Sequence, residues 1–237
     1  MKDNRFSRTE MLFGEENMQK LKNANIAVFG LGGVGGHTTE ALARCGIGHF
    51  SLVDNDTVSI TNINRQTIAL TSTVGRLKTE VMRKRILDIN PDADVKIFNM
   101  FYLPENADSF PLSGYDFIVD AIDTVSAKIE LAVRAESMGL NIISSMGTGN
   151  KTDPTKLTVT DIYKTETCPL ARVMRRELKA RNVKSLKVVY STEKALKPIN
   201  SEESDNGRHI PGSTSFVPSV AGLIIASQVV DSIINSD

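Results

Sequence analysis

The chain has 237 residues, 41% of them hydrophobic, and its 28 basic side chains balance 28 acidic ones for a formal net charge of zero. That length suits one large domain with a full core and is too short for two comfortable ones. A neutral balance excludes a global field that would pull the protein onto nucleic acid or membrane, so any anionic partner must meet a local patch.

Residues 1–8 are polar and charged with no apolar run. No secretory or transit signal is therefore expected, and the cytosol is the expected compartment. Two cysteines, Cys45 and Cys168, are too few for a four-cysteine zinc site, and both are read as thiols. Residues 5–21 suggest a short helix, with Met11, Leu12, Phe13, Met18 and Leu21 as apolar contacts, that begins only after Arg5 and Arg8. Residues 26–29 are a short apolar run, expected to be a buried strand. They lead into Gly30-Leu31-Gly32-Gly33-Val34-Gly35-Gly36 and then a helix over 36–45. Gly30, Gly32 and Gly35 have the G-x-G-x-x-G spacing: the first for a tight turn, the second for approach of backbone N–H groups to phosphate, the third for a helix start close to the strand. A strand over 49–53 ends at Asp54, where a carboxylate can accept both ribose hydroxyls. Strand, glycine turn, helix and acidic residue in this order are a dinucleotide-fold fingerprint.

The loop over 54–66 is polar and rich in asparagine, holding Asp56, Asn62, Asn64, Arg65 and Gln66. A loop this polar beside a glycine turn tends to line a ligand. An amphipathic helix is predicted over 73–89, with Val74, Leu77, Val81, Met82, Ile86 and Ile89 on one side. Lys78 falls inside that arc, in what would be the second turn. It is either a lysine that snorkels to water or one that meets an anion. Strands follow over 95–98 and 117–122, the latter apolar and central, and Asp123 comes next. Strands of an open parallel sheet deliver their carboxyl ends to the ligand crevice, so Asp123 is read as facing phosphates and a metal, or as capping the helix over 125–138.

A fifth strand is expected over 141–145, then the loop Gly147-Thr148-Gly149 and a strand over 157–162. Thr167-Cys168-Pro169 reads as a helix start, where Cys168 is a partly buried cap residue or a reactive thiol at the positive helix end. Cys45, inside a helix on the sheet, is read as inert core. The segment 172–187 sets Arg172, Arg175, Arg176, Lys179, Arg181, Lys184 and Lys187 against a single Glu177. It is a polyanion contact or a solvated helix face. A strand over 186–190 and a polar loop over 195–215, with His209, precede an apolar helix over 218–234. Pro218, Gln228 and Asp231 interrupt that helix, which favours a buried element over a membrane span. The expected fold is α/β: a Rossmann-like open, mostly parallel sheet with helices on both faces, plus a C-terminal extension of mixed strands and an apolar helix. It forms one domain over 1–237, with a nucleotide-binding core over 26–150 and a substrate-side extension over 151–237.

Charge separates two nucleotide chemistries. A nicotinamide dinucleotide needs only backbone amides and a helix end for its pyrophosphate. ATP attacked at its α-phosphate sheds a pyrophosphate whose growing charge needs fixed cations and a metal. Arg65, Lys78 and Asp123 around the crevice, with Arg5 or Arg8 from the N-terminal arm, suit the triphosphate. Hydride transfer would need neither the cations nor the carboxylate.

Asp54-x-Asp56-x-Val58, Asn62-x-Asn64-Arg65-Gln66, Gly75, Lys78 and Asp120-Ala121-Ile122-Asp123 resemble the adenylating superfamily of ubiquitin-activating enzymes and bacterial activators of sulfur-carrier proteins. The resemblance runs from Arg5 to the last helix. It implies that Asp54 holds the ribose of ATP, that Asn64, Arg65 and Lys78 hold the phosphates, that Asp123 holds Mg²⁺, and that Arg8 reaches the nucleotide site of the other subunit in a homodimer. The second half, through Asp153-Pro154-Thr155, Thr160-Asp161-Ile162-Tyr163-Lys164-Thr165, Pro169-Leu170-Ala171 and Val189-Tyr190-Ser191-Thr192-Glu193, is most similar to the tRNA threonylcarbamoyladenosine dehydratases. That similarity implies ATP-dependent ring closure on a modified adenosine beside the tRNA anticodon, with Arg172, Arg175, Arg176, Lys179 and Arg181 facing tRNA. Some relatives carry a cysteine just before the last helix; here the chain reads Gly212-Ser213-Thr214-Ser215. The zinc-binding cysteine pairs of the sulfur-carrier activators are absent too. The competing expectation is adenylation of the C-terminus of a ubiquitin-like or sulfur-carrier protein partner, passed to Cys168.

Overall fold

The computed structural model describes residues 4–199 and 211–236. Of the expected polar loop over 195–215, the part that includes His209 lies outside the described residues. The apolar runs become seven strands of one sheet: β1 (Asn25–Phe29), β2 (His49–Val53), β3 (Asp94–Phe98), β4 (Phe117–Asp120), β5 (Ile142–Ser145), β6 (Leu157–Asp161) and β7 (Lys187–Ser191), in the order β3-β2-β1-β4-β5-β7-β6. β1 pairs in parallel with β2 and β4, and among the described residues the β6–β7 pair alone of the strand pairs is antiparallel. Six α-helices cover the sheet: α1 (Ser7–Asn23), α2 (Gly35–Arg44), α3 (Lys78–Ile89), α4 (Val125–Met138), α5 (Pro169–Ala180) and α6 (Val217–Ile234).

Strand alternation assigns the faces. Ile26 and Val28 of β1 point into one core with Leu42 of α2, Met82 and Ile86 of α3 and Ile225 and Val229 of α6. Ala27 and Phe29 point into the other, against Ala127, Leu131 and Ala135 of α4. Phe29 also packs edge-on to Tyr102 and Phe110, with centroids 5.0 and 5.1 Å away. A strand buried on both sides must be apolar throughout, which is why β1 lacks a polar alternate. A third cluster joins Ile129 and Ala132 of α4 to Ala171, Met174 and Leu178 of α5 beneath Val188 and Tyr190.

α6 is long and apolar enough to cross a membrane, with mean hydropathy 1.7, yet half of it is buried inside the fold. At Gly222 it crosses α2 so closely that a Cβ would lie 2.5 Å from the Val34 carbonyl oxygen and 2.9 Å from His37 Cβ. Thr38 Oγ1 donates to the Gly222 carbonyl at that crossing, 3.1 Å away. The helix is therefore a core element, as its interruptions suggested.

Three boundaries differ from expectation. α1 starts at Ser7, so Arg8 lies within it, and the helix is broken at Gly14, whose φ is 79°. α3 starts at Lys78 instead of 73, because residues 71–73 close a 3-10 turn in which Thr73 Oγ1 donates to the Ile68 carbonyl, and Gly75 takes a φ of 85°. Side-chain bonds of this kind offer the backbone an alternative to the helix. β4 stops at Asp120, where its own carboxylate accepts the Ile122 N–H and turns the chain.

Candidate active site

A crevice of about 620 Å³ opens at the carboxyl ends of β1, β2, β4 and β5. Its floor is the glycine turn. Gly30 has a φ of 86°, and a Cβ there would sit 2.6 Å from the Ala121 carbonyl oxygen; a Cβ on Gly35 would overlap the Gly30 carbonyl. Gly32 faces open space, its nearest neighbour being Gln66 Nε2, 3.9 Å from where a Cβ would stand. Gly30, Gly32 and Gly33 line the crevice, whereas Gly35 serves packing alone. The tight turn and the close helix start expected of the first and third spaced glycines are present, and Gly32 leaves the floor open between them.

Asp54 ends β2 beside this turn. Its Oδ2 accepts the Leu31 N–H at 2.6 Å and its Oδ1 accepts the Asp56 N–H at 2.8 Å. Burial pushes its carboxyl up from the usual range, while the Lys78 charge and both N–H bonds act against that. The carboxylate thus braces the turn, and its second lone pairs remain for hydroxyls. Lys78 is buried, with its Nζ 2.6 Å from Asp56 Oδ2. It does not snorkel. It stands at the first residue of α3 rather than in the second turn, and its backbone N–H also donates to the Asp56 carbonyl at 3.0 Å.

The asparagine-rich loop divides its labour. Asn62 lines the crevice and accepts the Ser59 N–H, and Arg65 lines it while donating to the Thr61 carbonyl at 2.9 Å. Gln66 is buried at the crevice wall, and its Oε1 has no hydrogen-bond partner among the described residues. A buried amide oxygen left open in this way fits a site completed by ligand or water. Asn64 departs from expectation: it stands outside the crevice lining, donating to the Ser213 carbonyl at 3.0 Å and accepting from Arg65. It orients Arg65 and anchors the segment before α6. His37, its pKa lowered by burial, stands 3.3 Å from the Arg65 carbonyl and 3.0 Å from Ser219 Oγ.

Asp123 is exposed in the crevice, and no hydrogen bond or ion pair engages it among the described residues. The N-cap of α4 is Thr124, so the capping reading of Asp123 is not met. No cluster of three or more His, Cys, Asp or Glu side chains occurs among the described residues. A single free carboxylate suits an ion that takes its remaining ligands from phosphates and water. Beneath it lies a network that sequence reasoning missed. Lys128 and Asp120 are fully buried, with Nζ 2.9 Å from Oδ2. Ser144 Oγ donates to the same carboxylate at 2.5 Å, and Lys128 donates to the Ile122 carbonyl at 3.2 Å. The available signal was Lys128 standing on the apolar stripe of α4 with Leu131, Ala132 and Ala135.

Two further groups were not anticipated. Met100, Phe101 and Tyr102 wall the side near Asp54, and the Tyr102 hydroxyl is buried without a partner among the described residues, burial pushing its pKa up to about 12. On the far side Gly147, Thr148 and Gly149 face Pro211, Gly212 and Ser213. Asn150 clamps these walls, its N–H donating to the Gly212 carbonyl and its Oδ1 accepting the Gly212 N–H, both at 2.7 Å. Lys151 is buried next to it, with Nζ donating to the Gly147 carbonyl at 2.8 Å. Burial pulls its ammonium down from the usual lysine range, against the charge of Glu193.

Cys168 is the N-cap of α5, with Pro169 first in the helix, and is fully buried at 3% exposure without a side-chain cap bond. A thiol so enclosed has no route to a bulky acyl partner in this state. Cys45 packs against the core, and burial raises its pKa. The basic run is less uniform than its composition. Arg175 bonds the Thr165 carbonyl at 2.7 Å and is half-buried, and Arg176 and Arg181 bracket Glu177 at 2.7 and 2.9 Å. Arg172 and Lys179 are exposed. Arg5 donates to the Ile89 carbonyl at 2.9 Å, and Arg8, exposed on α1, does not line the crevice of its own chain.

Residues 6–237 match the ThiF family. The chain is 44% identical over 235 residues to the tRNA threonylcarbamoyladenosine dehydratase of Bacillus subtilis, covering 95% of this chain and 92% of that one. It is 40% identical over 202 residues to the protein of the same name from Escherichia coli, covering 82% and 75%. The crystal structure of the E. coli tRNA N6-threonylcarbamoyladenosine dehydratase in complex with ATP superposes with a TM-score of 0.88 at 36% identity, covering 97% of this chain and 93% of that one. The same enzyme in complex with AMP gives the same TM-score.

Proposed function

The chain belongs to the ThiF family, and on that membership we propose that it catalyses the ATP-dependent cyclising dehydration of threonylcarbamoyladenosine in tRNA, next to the anticodon, through an acyl-adenylate. The observation that carries this reading is the order of groups along one crevice: Asp54 after β2, the glycine turn after β1, Asp123 after β4 and residues 147–149 after β5. Ribose, phosphates and acyl acceptor are then met in sequence across the sheet. The relatives named for this reaction match the chain nearly end to end, and one of them has been crystallised with ATP and with AMP.

Asp54 holds the ribose, and backbone N–H groups of the turn hold phosphate. Arg65 and Lys78 offset the charge growing on the departing pyrophosphate, Lys78 exchanging part of its contact with Asp56 for phosphate oxygens. Asp123 would hold Mg²⁺, which when bound neutralises phosphate charge and polarises the α-phosphate. The threonyl carboxylate takes the adenylyl group, which makes its oxygen a good leaving group. The neighbouring carbamoyl group then closes the ring and AMP departs, a step favoured by proximity. Arg172 and Lys179, on the exposed face of α5, are proposed as tRNA phosphate contacts, with the other arginines of the run secondary. Arg8 is proposed to complete the site of a second copy, since it is remote from its own. Light scattering should then give about twice 25.9 kDa. With tRNA as substrate, a cytoplasmic location is proposed too.

Carrier-protein activation has less support: the chain holds two cysteines in all, and Cys168 is enclosed. Mass spectrometry of nucleosides from tRNA incubated with protein and ATP tests the choice. Loss of 18 Da from threonylcarbamoyladenosine is expected, about the mass of one water. Unchanged tRNA, with ATP–pyrophosphate exchange driven only by a carrier protein, would sink the proposal. Asp123→Ala and Lys78→Ala should each abolish exchange while the protein stays folded.

A further inference from the structure

The loop that follows β5 has a property the nucleotide chemistry does not use. Gly147, Thr148 and Gly149 line the crevice, and none of their three backbone N–H groups donates a hydrogen bond to any described residue. The residues on either side are committed: the Met146 N–H donates to the Val189 carbonyl at 2.8 Å and the Asn150 N–H to the Gly212 carbonyl at 2.7 Å. Successive backbone N–H groups that line a cavity without a partner among the described residues can serve an anion. Asn150 closes the loop with a φ of 57°, in the left-handed region that asparagine tolerates better than other side chains.

A second observation concerns charge. Lys151 is 3% exposed, yet it has no ion pair within 4.0 Å among the described residues, and the acceptor of its Nζ is the Gly147 carbonyl of this same loop, 2.8 Å away. Glu193, nearby, spends both carboxylate oxygens on the N–H groups of Thr152 and Asp153. An ammonium withdrawn from water, offset only by a carboxylate that already serves backbone N–H groups, is costly unless it acts on something. Bonded to the Gly147 carbonyl, it polarises the following peptide and makes its N–H a stronger donor.

We propose that the backbone N–H groups of Gly147, Thr148 and Gly149 form an oxyanion site for ring closure, with Lys151 as the residue that positions and polarises it. The inference rests on the proposed cyclisation and adds the machinery of its second half. Adenylation is attack at phosphorus and makes no oxyanion on carbon. In ring closure a lone pair of the carbamoyl group forms a bond to the threonyl carbonyl carbon, and the carbonyl π electrons move to its oxygen. Collapse re-forms the carbonyl, breaks the bond to AMP and releases AMP with the bonding pair, and the carbamoyl N–H proton passes to solvent. Charge therefore appears on a carbonyl oxygen at the end of the crevice beyond the α-phosphate, where the three donors stand, and only in this step.

That timing separates the two half-reactions. Lys151→Met removes the cation with little change in stem volume. It should keep most of the tRNA-dependent ATP–pyrophosphate exchange, while the single-turnover rate of cyclisation falls by up to about 10²-fold, the lower end of what losing such a donor outright costs. Acyl-adenylate should then accumulate on the tRNA, and Lys151→Arg should recover part of the rate. Parallel loss of exchange and cyclisation in variants that still bind ATP, or undiminished cyclisation in Lys151→Met, would overturn the oxyanion site. A wild-type protein without tRNA-dependent exchange would instead overturn the reaction on which it rests.

Discussion

Replacing Lys128 by Met is expected to destabilise the fold by about 3–5 kcal/mol, the usual result of deleting one member of a buried ion pair. The structure gives the reason for the upper part of that range. Asp120 is wholly buried, its Oδ2 is shared by Lys128 at 2.9 Å and Ser144 at 2.5 Å, and no water-facing path is left for the charge once the ammonium is gone. For a chain of this size about 1 kcal/mol shifts the melting temperature by roughly 2–4 °C, so a drop of roughly 6–20 °C should appear in calorimetry. Removing both charges, as Lys128→Met with Asp120→Asn, should recover much of the loss, because the amide oxygen still accepts the Ile122 N–H while its NH2 group donates to the Ser144 hydroxyl. A double-mutant cycle should thus return a coupling on the order of 2 kcal/mol. The single variant should also lose turnover at temperatures where it is folded, since Lys128 holds the Ile122 carbonyl one residue before Asp123. A cost below about 1 kcal/mol for Lys128→Met, or no coupling with Asp120, would refute the argument that this pair is uncompensated when split.

Replacing Arg172 and Lys179 together by Ala should flatten the salt dependence of tRNA binding by about 0.7–0.9 log units per lost phosphate contact per decade of salt, with ATP affinity unchanged; an unaltered slope in filter binding would remove tRNA from this helix face. Glu40 accepts bonds from Arg85, Arg44 and Thr67; burial alone would raise its pKa, but these bonds hold it at about 2. Its folded-state pKa is depressed, so its contribution is fully present above the unfolded value and is lost as pH falls from about 4.5 towards 2. Glu40→Gln should remove about 1–2 kcal/mol of that acid sensitivity, after discounting for solvent around the arginines, as read from urea midpoints between pH 2 and pH 6. Cys168→Ser should keep ring-closing activity, because closure is intramolecular and needs no enzyme thioester; complete loss with ATP binding preserved would restore the carrier-transfer reading.

The parts of the site that were legible in the sequence are those in which one short segment dictates its own geometry. Gly30, Gly32 and Gly35 act through their missing Cβ atoms, and Asp54 follows its strand at a fixed distance, so spacing alone locates them. The start of α3 was not legible, since periodicity continues back through Val74 while the hydroxyl of Thr73 and the positive φ of Gly75 stop the helix. Asn64 was misjudged because its partner, Ser213, is 149 residues away and nothing local marks the pairing. Asp120 was seen only as part of a motif. That it is consumed by Lys128 and Ser144 depends on the pairing of β4 with β5, which only the assembled sheet determines. The basic run misled in a different way: composition counts charges, whereas the fold spends Arg175, Arg176 and Arg181 on bonds within the chain.

The clamp of Asn150 on Gly212 joins two pieces of chain that are remote in sequence, and its two bonds at 2.7 Å are all-or-nothing in the manner of a latch. One wall of the crevice therefore inherits its position from the start of α6, and α6 in turn rides on α2 through Gly222. Since α2 springs from the glycine turn, the two banks of the crevice are tied to each other through a pair of packed helices as well as through the sheet. The width of the crevice is thus fixed twice, and loosening the α2–α6 crossing at Gly222 would slacken a wall that lies far from it in the chain.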